Sequence, residues 1–287
     1  TYILAAANAA DPSDARAPYY LGCLLYDRKR HDEALHQWEK AAQLDPTYPT
    51  VWRNLGIGYF NVRGDGARAR RVYERAVALA PDDARGLFER DLLAKRLGAP
   101  IPQRLAALDA RLDLVRQRDD LSVEYCDLLN QVGRHADALA YLGSRRFQPW
   151  EGGEGLALGQ HERTHLALGR QALGAGDAAR ARTHFETALT APPNLGEAKH
   201  LLANRSHVHY WLGVACAALG DRTAAQTAWE AAARFQGDFQ ERVVRVYSEL
   251  TYFSALALRQ LGRRAEARAL LRAVLAYART LFRTEAK

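Results

Sequence analysis

"YYLGCLLYDRKRHDEALHQWEKAAQLDP" (residues 19–46) is followed by "WRNLGIGYFNVRGDGARARRVYERAVALAP" (52–81), and the two superimpose. Leu21-Gly22 returns as Leu55-Gly56, 34 residues on. Ala34, Trp38, Ala41 and Pro46 return as Ala69, Tyr73, Ala76 and Pro81 at a constant 35, because the second copy has one more residue in its turn. A fixed period of this length marks a stacked-repeat architecture. Within a copy, apolar residues fall three and four apart, first Leu21, Leu24 and Leu25, then Ala34, Leu35, Trp38 and Ala41. This spacing predicts two amphipathic helices per unit, with the polar turns "DRKRHD" and "VRGDG" between them. Gly22 and Ala34 are expected where the two helices cross, with Trp38 and Tyr73 filling the space beside the contact. Pro46 and Pro81 end the second helix, since proline lacks the N–H and clashes with the preceding turn.

The same pattern continues along the chain. It is strong in "HLALGRQALGAGDAARARTHFETALTAPP" (165–193), with Gly169, Ala181, Phe185 and Ala188, and fair in "HYWLGVACAALGDRTAAQTAWEAAA" (209–233), with Gly213, Ala225, Trp229 and Ala232. "DLSVEYCDLLNQVGRHADALAYL" (120–142) keeps the phase with Cys126 in place of glycine and Ala138 at the next crossing. Residues 84–115 are degenerate, with Asp91 where glycine is expected, and about 248–284 keep Ala255 and Ala267 alone.

These residues resemble the tetratricopeptide repeat, and the resemblance covers nearly the whole chain. It implies an all-α fold, a right-handed α-solenoid of about seven helix-turn-helix repeats, acting as a non-catalytic protein-interaction or scaffolding module. Such a module would dock a peptide, a partner protein or another domain of its own longer polypeptide. "LAAANAADP" (4–12) aligns with "WEKAAQLDP" (38–46), so residues 1–12 are expected to end an upstream repeat of a longer protein. Residues 13–147 then hold repeats of 34–35 residues. Residues 148–287 hold repeats of 42–44, since Cys126, Gly169, Gly213 and Ala255 are 43, 44 and 42 apart. The whole is expected to be one continuous solenoid.

The extra residues do not all lie in equivalent places, but part of each precedes the next first helix, in "RRFQPWEGGEG" (145–155), "APPNLGEAKHLLANRSH" (191–207) and "FQGDFQERVVRVY" (235–247). Features at one phase of a solenoid project from one edge. Phe147 and Trp150 suit stacking on a sugar or an apolar side chain, and Glu151, Glu154, Asn194 and Glu197 suit hydrogen bonding. The competing expectation is that both rings fold back over the preceding helix while the glycines shape the turn. The order of "RRFQPWEGGEG", "PPNLGE" and "HVHYWLG" over about 13–284 also resembles the C-terminal repeat region of large bacterial proteins of unknown function. Their N-terminal part is similar to galactose-mutarotase-like domains, which implies an accessory role in a carbohydrate-active protein as the alternative function.

First helices of such arrays line the groove. Groove-facing phases hold Tyr19, Tyr26, Arg53, Phe60, Asn61, Lys95, Arg96, Asp127, Asn130, Arg170 and Tyr210. Aromatics among arginines suit an extended peptide or a helix with acidic groups. The Lys/Asn clamp by which some members hold a C-terminal carboxylate is missing, because Cys23 and Ile57 stand where the amide is needed.

"HERTH" (161–165) fits H-E-x-x-H, which places two imidazoles one helical turn apart with a carboxylate as base, as in zinc proteases. The longer signature is not met: Leu168 and Gln171 or Ala172 stand where its glycine and third histidine belong. His165 shares its phase with Trp52 and His209, so it is expected to pack near Phe185 rather than to bind metal. "HVH" (207–209) would diverge on a helix. No phosphate loop, nucleophile elbow or Cys–His cluster is present, so neither enzyme activity nor a metal or other cofactor is expected.

The net charge is +7, and 35 of the 40 basic residues are Arg, interspersed with acids. A solvated mixed-charge surface is expected rather than a nucleic-acid site. Cys23, Cys126 and Cys216 are far apart and read as apolar fillers in a reducing, cytoplasmic setting. No apolar run reaches the roughly 18 residues a membrane-spanning helix needs.

Overall fold

The structure, a computed structural model, describes residues 10–235, 237–240 and 243–285. Residues 1–9, most of the stretch expected to end an upstream repeat, lie outside the described residues. Helices α1 (Arg16–Asp27) and α2 (His31–Leu44) form the first turn-linked pair, and α3 (Pro49–Asn61) and α4 (Gly66–Leu79) the second. Helix α5 (Ala84–Arg96) is followed by a divided second helix, α6 (Ile101–Asp109) and α7 (Leu112–Val115). Next come α8 (Asp119–Gln131) and α9 (His135–Gly143). Three further pairs are α10 (Leu156–Gly174) with α11 (Ala178–Ala188), α12 (Ser206–Ala218) with α13 (Arg222–Arg234), and α14 (Thr251–Gln260) with α15 (Arg264–Glu285). The contacts separate two compact units, residues 1–128 and 129–287, and the division falls inside α8. Within each unit helices pack on their neighbours in sequence order, the α-solenoid class of architecture. Among the described residues the departure from all-α is an antiparallel hairpin of two three-residue strands, β1 (Asp238–Gln240) with β2 (Val243–Arg245).

The crossings explain why these residues recur. A Cβ built at Gly22 would lie 2.5 Å from Cδ1 of Trp38, one at Gly169 2.5 Å from Cε1 of Phe185, and one at Gly213 2.5 Å from Cδ1 of Trp229. Gly56 meets the Tyr73 ring in the same way. In each case an aromatic ring of the second helix occupies the space that a side chain on the first would need. Ala34, Ala69 and Ala181 are fully buried and Ala225 nearly so, completing the close approach. The geometry is repeated in detail: Trp38 Nε1 donates to the Tyr19 carbonyl at 3.2 Å, and Trp229 Nε1 to the Tyr210 carbonyl at 3.3 Å.

Where glycine is missing, the ring is missing too. The positions equivalent to Trp38 are Leu108 beside Asp91 and Leu271 beside Ala255, and Leu142 follows Cys126 at the same interval. A leucine leaves room for a side chain on the first helix that an indole or phenol does not.

Turn chemistry closes the pairs. The residue ending each intra-pair turn is left-handed, with φ between 60° and 82°: Lys29, Gly64, Gly98, Gly133, Gly176, Gly220 and Gly262. Six are glycine, because a Cβ is strained there. After three of them an aspartate caps the second helix, Asp65, Asp177 and Asp221 accepting from the N–H of Arg68, Arg180 and Ala224.

The degenerate unit uses another device. Arg104 stands where the second-helix alanine belongs and pairs in bidentate fashion with Asp91, at 3.0 and 2.6 Å. It also reaches Glu124 at 2.6 Å, and Lys95 approaches the same carboxylate at 2.9 Å. Asp91 and Arg104 are buried, and burial pushes the Asp91 carboxyl up even though Arg104 pulls it down. In unit 2 the three inserts are knitted together. Asn194 donates to the carbonyls of Leu142 and Arg145 at 2.9 and 3.0 Å, and its own carbonyl accepts from Phe147 N–H at 2.8 Å. Asn204 ties the second insert to the third through Asp238 and the Gly237 carbonyl, each at 2.9 Å. Cys23, Cys126 and Cys216 are not joined in disulfides, and the last two are buried.

Two outcomes test this packing. Gly56→Ala drives a methyl into the Tyr73 ring and is expected to cost about 1–3 kcal/mol, read from the urea midpoint. Adding Tyr73→Leu, the combination used naturally at Ala255 and Leu271, is expected to recover part of that loss. Arg104→Ala strands the buried Asp91 carboxylate and removes one of the two cations on Glu124, and is expected to cost about 3–5 kcal/mol, more than alanine at the exposed, ion-paired Arg30.

Candidate functional site

In unit 1 the first-helix residues expected to face a groove fall into two classes. Tyr19 is half-buried between Tyr20 and Tyr48, with ring centroids at 5.0 and 5.1 Å. Burial and the neighbouring Cys23 push its phenol up to about 12. Tyr26 leans on Trp38 at 5.3 Å. Arg53 is committed to Glu89 at 2.5 Å, a carboxylate that Arg85 shares at 2.9 Å. Phe60, Asn61 and Arg96 are the accessible set. They line a cavity of about 250 Å³ with Ile57, Tyr73, Glu89 and Leu92. The Arg96 guanidinium lies 5.7 Å from the Phe60 ring centroid and has no carboxylate partner among the described residues. Lys95, by contrast, is spent on Glu124.

Unit 2 corrects one groove residue. Asn130 is 5% exposed, and its amide is consumed by the protein. It donates to Gln160 at 3.1 Å and to Thr164 Oγ1 at 2.9 Å, while its Oδ1 meets His135 Nδ1 at 2.8 Å. It is a buried link between successive first helices. Arg170 is exposed and stands over the Trp211 ring at 5.1 Å. Tyr210 is half-buried beside Trp211 and Phe253, at 5.4 and 5.9 Å. It lines a cavity of about 740 Å³ with Leu256, Arg259, Gln260, Arg264, Ala267, Arg268 and Leu271.

The insert edge also needs correcting. Phe147 is 3% exposed and so presents no ring face to a ligand. Asn194 is spent on the loop carbonyls described above. Glu197 accepts from Gly155 N–H, and Glu154 from Gly152 N–H at 3.0 Å. Trp150 is half-buried and folds onto Gly153, where a Cβ would overlap its indole. Glu151 remains exposed. The polar groups suited to a ligand in sequence terms close the loops instead, because glycine-rich backbone leaves N–H and C=O groups that need partners.

"HERTH" is built into the core. His161 and His165 are both buried, with ring centroids 4.5 Å apart. His165 Nδ1 meets Nδ1 of His184, the neighbour of Phe185, at 3.0 Å. His161 Nε2 faces the Thr187 carbonyl at 3.3 Å. Glu162, the supposed base, receives Lys199 Nζ at 2.5 Å and His207 Nε2 at 3.0 Å. Burial raises this carboxyl, but the His207 hydrogen bond and the Lys199 ammonium outweigh it and hold it at about 2. It is therefore an anionic anchor for the second insert. Burial, reinforced by His161 and His184, lowers His165 to about 4. Among the described residues no His, Cys, Asp or Glu side chains are grouped three together so as to hold a metal ion. No described helix is long and apolar enough to cross a membrane.

Lys199, Trp211, Arg259, Arg264 and Arg268 were not singled out in sequence. The arginines had a signal, since Leu256, Arg259 and Gln260 repeat the phases of Ile57, Phe60 and Asn61. Lys199 had none beyond being the one lysine among the inserts.

The histidine core predicts a pH dependence. An unfolded chain protonates His165 near 6.5, the folded chain only near 4. Folding stability should therefore fall as pH drops through this window, by at most about 3 kcal/mol. Glu162, lowered from 4.5 to about 2, adds a separate loss below that. His165→Gln should show a smaller drop in urea midpoint between pH 7 and pH 5 than the parent, and an equal drop would contradict this account.

Sequence comparison places this geometry. A TPR repeat profile matches residues 22–62, and tetratricopeptide repeat profiles match 166–241 and 249–273. Among curated proteins, the mouse (Mus musculus) protein O-mannosyl-transferase TMTC1 is 35% identical over 98 residues, 34% of this chain and 9% of that protein. The human (Homo sapiens) protein of the same name is 33% identical over 98 residues, 10% of its length. The chain thus spans about a tenth of these relatives. Among solved structures, YrrB, described as a TPR protein with an unusual peptide-binding site, aligns with a TM-score of 0.44 at 15% identity, covering 81% of this chain and 92% of that one. A tetratricopeptide repeat protein from Parabacteroides merdae aligns with a TM-score of 0.42 at 14% identity, covering 89% and 90%. The profile matches fall on the helix pairs whose glycines lie against Trp38, Phe185 and Trp229, so this chain carries tetratricopeptide repeats.

Proposed function

We propose that the chain is a non-catalytic docking module, which holds a peptide, a partner protein or another domain of a longer polypeptide on its first-helix faces. One observation carries the reading. In each unit an arginine of one first helix lies over an aromatic ring of the neighbouring first helix, Arg96 over Phe60 and Arg170 over Trp211. Neither arginine has a carboxylate partner among the described residues. A ring with an unpaired guanidinium above it offers a partner both apolar area and a cation. Other groove-facing residues, Tyr19, Tyr26, Arg53, Lys95 and Asn130, are packed or paired within the protein, so these two places offer a ligand a ring and a cation together. The commitment of Glu162, His161 and His165 to protein partners supports a role without catalysis. The absence of disulfides at the three cysteines supports a reducing, cytoplasmic setting.

The alternative, an accessory part of a carbohydrate-active protein, draws on the insert edge and on the mutarotase-linked resemblance. With Phe147, Asn194 and Glu197 used internally, only Trp150 and Glu151 still favour it. The sugar-transferring relatives are matched over too small a part of their length to add support.

Selection of binders from a random peptide library on the full chain tests the proposal. Selected peptides should lose about tenfold or more in affinity to Phe60→Ala/Arg96→Ala or to Arg170→Ala/Trp211→Ala, the scale of a central anchor. Helicity should be unchanged. Selected peptides that bind both variants as tightly as the parent would refute groove docking.

A further inference from the structure

Several arginines of this chain are neutralised. Arg30, Arg53, Arg85, Arg104, Arg118, Arg134, Arg182 and Arg263 each hold a carboxylate within 3.0 Å. The cavity of unit 2 is different. Arg259, Arg264 and Arg268 line it together, are exposed, and make no side-chain hydrogen bond or ion pair among the described residues, and no carboxylate is among the lining side chains. Glu266, two residues in sequence from both Arg264 and Arg268, is engaged by Arg263 at 2.6 Å. Tyr210, Leu256 and Leu271 supply the rest of the lining. Three like charges around one concavity repel one another and focus a positive potential into it, a cost relieved when an anion enters.

Resting on the docking function above, we infer that this cavity receives an acidic segment of a partner protein, with carboxylates on Arg259, Arg264 and Arg268 and an apolar side chain against Leu256 and Leu271. Guanidinium forks match carboxylates in bidentate geometry. The apolar lining selects a peptide over a nucleic acid, whose backbone has nothing to bury there and whose bases would find a single tyrosine for stacking. At about 740 Å³ the space admits several side chains of an extended chain.

Binding of a fluorescein-labelled peptide of alternating glutamate and leucine to the full chain tests this by anisotropy. Its glutamine counterpart and poly(U) serve as comparators. The acidic peptide should bind in a salt-sensitive manner and the glutamine peptide weakly. Arg259→Ala/Arg264→Ala/Arg268→Ala should weaken the acidic peptide about tenfold or more, with unchanged helicity. Arg272→Ala, on the same helix but outside the cavity, should leave it unaltered. Equal binding to parent and triple variant overturns the inference, as does no binding of the acidic peptide, or tighter binding of poly(U). If the library-selected peptides still bind the triple variant and depend on Phe60 and Trp211 while the acidic peptide is ignored, the docking function stands and this inference alone falls.

Discussion

A ring lying on a bare glycine backbone is the contact on which the helix pairs depend. Gly22 under Trp38, Gly56 under Tyr73, Gly169 under Phe185 and Gly213 under Trp229 each bring two helices closer than any side chain at the glycine permits. The contact does two things at once. It removes a large aromatic surface from water, and it fixes the depth at which the helices nest. Helix propensity opposes it, since glycine inside a helix costs about 1 kcal/mol relative to alanine. The aromatic burial outweighs that cost, because a fully buried Phe-sized side chain contributes about 1.5–3 kcal/mol.

Two other solutions replace that contact. The buried pair of Asp91 and Arg104, with Glu124 and Lys95, substitutes charge for shape. Such a cluster is held in register by directional hydrogen bonds more than by net stability, and it coincides with the place where the second helix is divided into α6 and α7. The inserts of unit 2 substitute hydrogen bonding across loops for short turns. Asn194, Asn204 and Lys199 each reach an element distant in sequence, and Lys199 has its charge met by Glu162.

The helices, their pairing and their crossings were legible because they follow from short-range spacing: small residue, ring and left-handed turn recur at fixed intervals. The site was legible only in part. Arg96 and Arg170 are exposed and Phe60 half-buried. Asn130 sits at the same kind of phase yet is buried, because Gln160 and Thr164 of the next first helix face it, and no interval within its own helix encodes that. Phe147 and Asn194 illustrate the same limit in loops, where burial depends on a partner about fifty residues away. Arg259, Arg264 and Arg268 became conspicuous only when the carboxylates that neutralise other arginines were located.

The lacing of the inserts has a mechanical consequence. In unit 1 successive pairs are joined by short turns and side-to-side packing, so a pull along the stack can open them one after another, like the coils of a spring. In unit 2, Asn194 bridges from the loop before α10 to the loop after α11, and Asn204 bridges onward to the hairpin strand β1. That edge behaves as a seam of limited extension. Under load this edge should therefore resist extension, and the unit should flex away from the seam.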